Sequence, residues 1–361
     1  MKKSHLIMLA SLATLGLASC ASDEPEVEPH NGIAIDFRPA MGSRASEITN
    51  ANLNDIIVTA LESDQTDPYF SNLTFTKGDD GFFGSDPVYY WPGDNKSLQF
   101  YAYAPDISEF SDEVTINNTT QEITNFVTPE KIADQVDLVT TTATGNRKDN
   151  EASGVELTFD HRLSQVEIQA KSESEAYNFE VAGIRVGRPE TTGSFNLATN
   201  EWTLDMWHDT QVYESHCDTV KLTANPVSIM GSEGNGMFIP QTLTPWNPTG
   251  DSDNVARGAY LSVLVRITTT DGALVYPLEG ETYHGTFGWV SLPLDTKWEQ
   301  GQKYVYVLDF SHGAGYHDPD DPFPGQSVLG DPIKLAVNVT GWDDNSQPIE
   351  MPHGGGTNYT K

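Results

Sequence analysis

Apolar and polar residues alternate with period two along most of the chain. In Ile33-Ala34-Ile35-Asp36-Phe37 the side chains of Ile33, Ile35 and Phe37 share one face. Across Leu163–Ala170, Val166, Ile168 and Ala170 face one way and Gln165, Glu167 and Gln169 the other. Tyr304–Phe310 and Ile333–Thr340 alternate likewise, the second placing Ile333, Leu335, Val337 and Val339 together. Successive side chains of an extended chain point to opposite faces, so each segment is predicted to be a strand with one buried face. Tyr260–Thr269 and Ala273–Leu278 flank Asp271-Gly272, a strong hairpin signal. Thr, Val and Tyr are abundant, and Gly and Pro punctuate at strand-like intervals. No window of a dozen residues keeps a helical period; the best candidate is the short segment Thr128–Leu138. The chain is predicted to be all-β, a pair of β-sandwiches.

A weak internal echo supports two domains. Gly32–Phe37 resembles Gly154–Phe159, and each is followed by a second strand, Leu53–Ala60 and Leu163–Ala170. Two sandwiches opening with the same strand pair would produce this pattern. The polar stretch Thr144–Ser153 marks the boundary, giving expected domains 33–153 and 154–361.

The front of the chain reads differently. Lys2 and Lys3 precede an uncharged apolar stretch, Leu6–Leu17, too short to span a bilayer as a permanent helix. It ends in Leu17-Ala18-Ser19-Cys20, which looks like a bacterial lipobox, so residues 1–20 are expected to be a lipoprotein signal peptide with Cys20 taking the lipid. Residues 21–32 are acidic, contain proline and have few apolar groups, as expected of a flexible tether. The acidic residues just after Cys20 resemble a surface-export signal of Bacteroidetes lipoproteins, and that resemblance implies an outer-membrane anchor with the protein surface-exposed.

Charge and cysteine content narrow the partners. Acids outnumber bases 52 to 20, so nucleic acid and anionic lipid surfaces are not expected partners. With Cys20 lipidated, Cys217 stands alone and no intrachain disulfide can form. No later run reaches the roughly 18 apolar residues a membrane helix needs. There is no His-Glu-x-x-His, paired cysteine, Gly-x-Ser-x-Gly or phosphate-cradling glycine loop. Accordingly no catalytic residue, cofactor or metal ligand is assigned. His161 is expected to be structural, and Cys217 and His216, as strand neighbours, should point apart. Asp318-Pro-Asp-Asp-Pro322 puts three carboxylates in one loop, but calcium needs six or more oxygens in definite geometry, so a solvated acidic turn is expected. The tryptophans are expected mainly in cores and at the domain junction.

Ordered segments then point to a family. Ser43-Arg44-Ala45 follows the first strand, and Tyr90-Trp91-Pro92 precedes Leu98–Pro105. Asp137-Leu138 is followed by Phe159-Asp-His-Arg-Leu-Ser164, then Phe238-Ile-Pro-Gln241, Trp298–Tyr306 and Val339-Thr-Gly-Trp342. In this order they resemble the fimbrillin family of Bacteroidetes pilins. The resemblance implies two transthyretin-like β-sandwich domains in tandem. It also implies export as a lipoprotein, cleavage by an arginine-specific surface protease, and loss of the lipid with the first strand. A strand from a neighbouring subunit then fills the vacated groove, and repetition builds a fimbria that supports adhesion. The partners implied are other pilin subunits, that protease, and a host or glycan receptor.

Arg44 lies between Gly42-Ser43 and Ala45-Ser46, a small-residue context suited to cleavage, whereas the competing Arg38 is followed by Pro39. A cut between Arg44 and Ala45 would release Cys20 together with the strand carrying Ile33, Ile35 and Phe37. Burying three such side chains is worth about 5–9 kcal/mol in total. The segment carrying Ile333, Leu335, Val337 and Val339 has the pattern of a donor strand, and equally that of a core strand of the second domain. The tail from Asp343 offers only Ile349, Met351 and Tyr359, broken by Pro352 and glycines. The competing reading is a monomeric surface lipoprotein that binds glycan or host protein, or a fimbrial tip or anchor subunit.

Overall fold

The computed structural model describes residues 33–41, 48–49, 52–205, 210–278, 286–342 and 349–350. The first half supplies β1 (Phe37–Met41), β2 (Asp55–Glu62), β3 (Phe70–Lys77), β4 (Phe83–Ser85), β5 (Leu98–Ala104), β6 (Glu113–Ile116), β7 (Gln121–Val127), β8 (Val139–Gly145) and β9 (Val155–His161). Seven of these close into a barrel in the order β1-β4-β3-β2-β5-β8-β9. Period-two patterning sets the faces. In β9, Val155, Leu157, Phe159 and His161 are buried while Glu156, Thr158 and Asp160 are exposed. β2 instead reads as a continuous apolar run because both faces are covered. Its Ile56, Val58 and Ala60 enter the barrel core, and Ile57 and Leu61 enter a second cluster outside it.

The second half contains β10 (Ser164–Lys171), β11 (Tyr177–Gly187), β12 (Thr192–Asn196), β13 (Glu201–Leu204) and β14 (Val212–Lys221). β10 pairs in parallel with Gln302–Asp309, which pairs antiparallel with Lys334–Gly341. A second sheet joins β14, β11, Tyr260–Thr269 and Gly288–Pro293. One apolar core lies between these two sheets, with Val166, Ile168, Tyr304 and Tyr306 from the first and Phe179, Val181, Val263 and Val290 from the second. A separate sheet, β13-β12-β7-β6, ties the halves together through pairs such as Phe195↔Ile123. Beneath it the cluster that receives Ile57 and Leu61 also gathers Tyr103, Ile123, Phe126, Leu163, Phe195 and Trp342.

The all-β expectation agrees with the fold. The predicted hairpin is present: Thr269 N–H donates to Ala273 O at 2.8 Å, and Gly272 takes φ +92°, which a side chain would oppose. Thr128–Leu138 holds one 3₁₀ turn, Ile132–Asp134, and no α-helix.

One expectation changes. In the first half β1 bonds to both β4 and β9, so the seven strands close on themselves and neither edge of β1 is free. The echoing segments do not open two separate sheets. β1 and β9 lie side by side in one sheet, parallel and in register from Phe37↔Val155 to Met41↔Phe159. The echo is offset from this pairing: it aligns Phe37 with Phe159, whereas Phe37 pairs with Val155. The strand expected to open the second half is thus the one that completes the first barrel.

Candidate functional site

The barrel is closed by its first strand, which reaches its place through a short N-terminal approach. Ile35 N–H donates to Tyr89 O at 2.8 Å, and Trp91 N–H donates to Ile33 O at 3.2 Å. Val155 N–H donates to Asp36 O at 3.0 Å, after which β1 runs parallel to β9. Ile35 and Phe37 are fully buried. The Phe37 ring meets Phe75 and Phe100 edge-on, with centroids 4.8 and 5.0 Å away. Such contacts add to the value of the area buried.

Ile33 does not join them. It is 36% exposed, since it sits at the mouth where the first bridge, Ala34 to Tyr90, has only begun. The apolar stake in this strand is therefore two side chains, about 3–6 kcal/mol. The backbone adds to it, because the flanking strands lose hydrogen-bond partners if β1 leaves.

Two charged positions frame the strand on its outer face. Arg38 forms an ion pair with Glu156, its register partner on β9, at 2.6 Å. Asp36 lies above Gly154, where a Cβ would come within 3.0 Å of Asp36 Oδ1; that glycine also takes φ +67°. Asp80 sits nearby, its Oδ1 accepting the Phe82 N–H at 3.1 Å. Burial first, and then the Asp80 charge, hold the Asp36 carboxyl above its usual range. A carboxyl raised in the folded state favours folding fully at pH below its unfolded value, and that contribution is lost as pH rises through the folded one. Asp36→Asn is therefore expected to raise stability at pH 7, by less than about 1 kcal/mol because the group is partly solvated. The gain should vanish below about pH 4. Thermal melts of both proteins at pH 7 and 3.5 check it; a gain independent of pH would contradict the assignment.

Cys20, Arg44 and Ala45 lie outside the described residues. The segment Lys334–Gly341 is paired with Gln302–Asp309 at eight positions, from Lys334↔Asp309 to Gly341↔Gln302. Ile333 and Val339 are buried, and Leu335 and Val337 half-buried, so the four do share a face, on the C-terminal core. Among the described residues its other side carries the short pairing Asn338↔Glu350 and Val339↔Ile349.

The remaining chemical candidates resolve as follows. His161 Nδ1 lies 2.9 Å from the buried Asp137 carboxylate, and its ring rests on Trp342 at 4.1 Å between centroids, a packing arrangement. His216 faces Glu214 at 2.7 Å on β14, while Cys217 packs against the C-terminal core, where burial pushes the thiol up. That is the reverse of an activated nucleophile. Asp318 overturns the solvated-turn expectation: it is 3% exposed, accepting from Ser262 Oγ at 2.5 Å and Ser291 Oγ at 3.1 Å. Among the described residues no group of three or more His, Cys, Asp or Glu is arranged to hold a metal.

The family-like segments serve as scaffold. Phe238 stacks on Trp298 at 4.8 Å, and Gln241 and Trp298 exchange backbone hydrogen bonds of 3.1 and 2.8 Å. Of the tryptophans, Trp91, Trp246, Trp289, Trp298 and Trp342 are buried, Trp202 packs at the junction, and Trp207 lies outside the described residues. Sequence reasoning did not single out Glu156, Asp80 or the Phe75–Phe100 cage. For Glu156 the signal was present in the strict alternation Val155-Glu-Leu-Thr-Phe159.

Comparison with known proteins agrees with the ordered segments. A family model described as fimbrillin-like matches residues 43–342. The chain is 21% identical, over a 399-residue alignment, to the fimbrium subunit Fim1C of Phocaeicola vulgatus, covering 94% of this chain and 97% of that protein. A crystal structure of a fimbrial protein from Bacteroides vulgatus superposes with a TM-score of 0.57 at 16% identity, covering 86% of this chain and 99% of that one. At that identity the likeness shows the fold alone. Most of the sequence falls within the family match, and the chain belongs to the fimbrillin-like family.

Proposed function

We propose that the chain is a structural subunit of a surface fimbria. In this reading it is exported as an outer-membrane lipoprotein through Cys20, cut between Arg44 and Ala45, and polymerised by exchange of β1 for a strand of another subunit. Its two halves then correspond to the two transthyretin-like domains of the family, and the assembled fimbria supports adhesion. The observation that carries this reading is the placement of β1. It is bonded on both sides, between β4 and β9, and together with the residues leading into it puts Ile35 and Phe37 in the barrel core. Its departure would leave an apolar slot and two unpaired edges, a template for an incoming strand.

Arg44→Ala tests this in cells. Wild-type protein is expected to have Ala45 as its N-terminus and to run as an SDS-sensitive ladder. The variant is expected to keep acylated Cys20 and to yield no ladder, a loss of at least tenfold in polymer. Ladders from an Arg44→Ala chain with an uncut N-terminus would sink the proposal. Wild-type protein that stays acylated and monomeric would favour the tethered binder.

A further inference from the structure

The outer face of β1 bears on what could replace it, and the inference that follows rests on the strand-exchange reading above. Two fixed acids border the slot. Glu156 stands on β9 directly across from position 38, and Asp80 accepts the N–H of Phe82, whose ring lies against Gly154 together with the Asp36 carboxylate at position 36. Between them the inward positions 35 and 37 are fully buried, with an aromatic cage around the second. The resident strand meets three of these four conditions. Ile35 and Phe37 fill the core, and Arg38 pairs with Glu156, but Asp36 places an acid near Asp80.

We propose that the slot selects its occupant by charge as well as by shape. The preferred occupant is an extended segment of another subunit, parallel to β9, with large apolar residues two positions apart, no acid between them and a base directly after. Opposite charges across paired strands favour pairing and like charges oppose it. A segment obeying this pattern keeps everything β1 contributes and sheds its one unfavourable neighbour, so the resident strand is a displaceable occupant. The pattern also ranks this chain's own segments. Ile349-Glu350-Met351 repeats the apolar–acid–apolar order of Ile35-Asp36-Phe37 and is followed by Pro352, so it is disfavoured. Ile333-Lys334-Leu335 puts a base where Asp36 stands but has Ala336 where the pattern asks for a base, so it meets the rule in part.

The test uses the full-length chain, nicked after Arg44 by an arginine-specific protease, with the nick confirmed by intact mass. Labelled peptides of residues 33–41 are added in three forms: the parent sequence, Asp36→Asn and Arg38→Glu. Occupancy of the Asp36→Asn peptide is expected to exceed that of the parent about threefold, and Arg38→Glu to fall about threefold below it. On a Glu156→Lys chain the order of the parent and Arg38→Glu peptides should invert, which a purely apolar slot would not produce. Peptides that enter without discrimination, or an order unchanged by Glu156→Lys, overturn the charge rule while leaving strand exchange standing. If none of the peptides enters and the nicked β1 fragment stays bound, strand exchange itself fails and the rule falls with it.

Discussion

Phe37→Ala is expected to lower the free energy of unfolding by about 3–5 kcal/mol. The ring is fully buried and meets two other rings edge-on, Phe75 and Phe100, themselves fully buried. Relaxation into the space it leaves is limited, because the backbone at residue 37 is held by register partners on both sides, Phe83 on β4 and Val155 on β9. The cost thus combines lost transfer energy with a cavity that cannot fully collapse. Urea denaturation measures it. Ile33→Ala is the control: being 36% exposed at the barrel mouth, that residue should change stability by less than about 0.5 kcal/mol. Equal effects at the two positions would mean that β1 does not sit in the barrel with this register. Under strand exchange, Phe37→Ala should also speed release of the nicked N-terminal fragment, since the same contacts hold it.

Much of the fold was legible because period-two alternation is a local property. The hairpin at Asp271-Gly272 and the facing of Leu163–Ala170 follow from neighbouring residues alone. What alternation leaves open is which strands become neighbours. Gly32–Phe37 and Gly154–Phe159 resemble one another, and the pattern is equally consistent with two sheets or one; the parallel pairing of Phe37–Met41 with Val155–Phe159 depends on where β4 and β8 fall. Ile33 shows the same limit on a smaller scale. It belongs to the alternating face, but the barrel core ends one strand position before it, and only the bridge from Ala34 to Tyr90 fixes that end. Asp318 was misread for the complementary reason. Its neighbours are acidic and proline-rich, yet its burial is decided by Ser262 and Ser291, 56 and 27 residues away in sequence. For the candidate site, the buried pair Ile35 and Phe37 could be read in advance, while the charges bordering it required knowing that β9 lies alongside.

Trp342→Ala should cost a similar amount, about 3–5 kcal/mol, by a different route. Trp342 is 1% exposed and lies in the cluster beneath the sheet that joins the halves, with Phe195 and Met237 from one side and Tyr103 and Leu138 from the other. Its ring covers His161, whose partner Asp137 also accepts the Ile48 N–H at 3.1 Å. Removing the indole would open a cavity and admit water to a buried histidine–carboxylate pair at the end of the barrel. The wild-type chain is expected to melt in one calorimetric transition, and Trp342→Ala to split it, because this cluster is built from residues of both halves. Trp342→Phe separates volume from polarity. The indole N–H has no hydrogen-bond partner among the described residues, so the phenyl ring keeps most of the packing without a buried unpaired donor. Its cost should stay under about 1.5 kcal/mol with the single transition retained. A single transition in Trp342→Ala, displaced by less than about 1 kcal/mol, would show that the joining sheet couples the halves without this core.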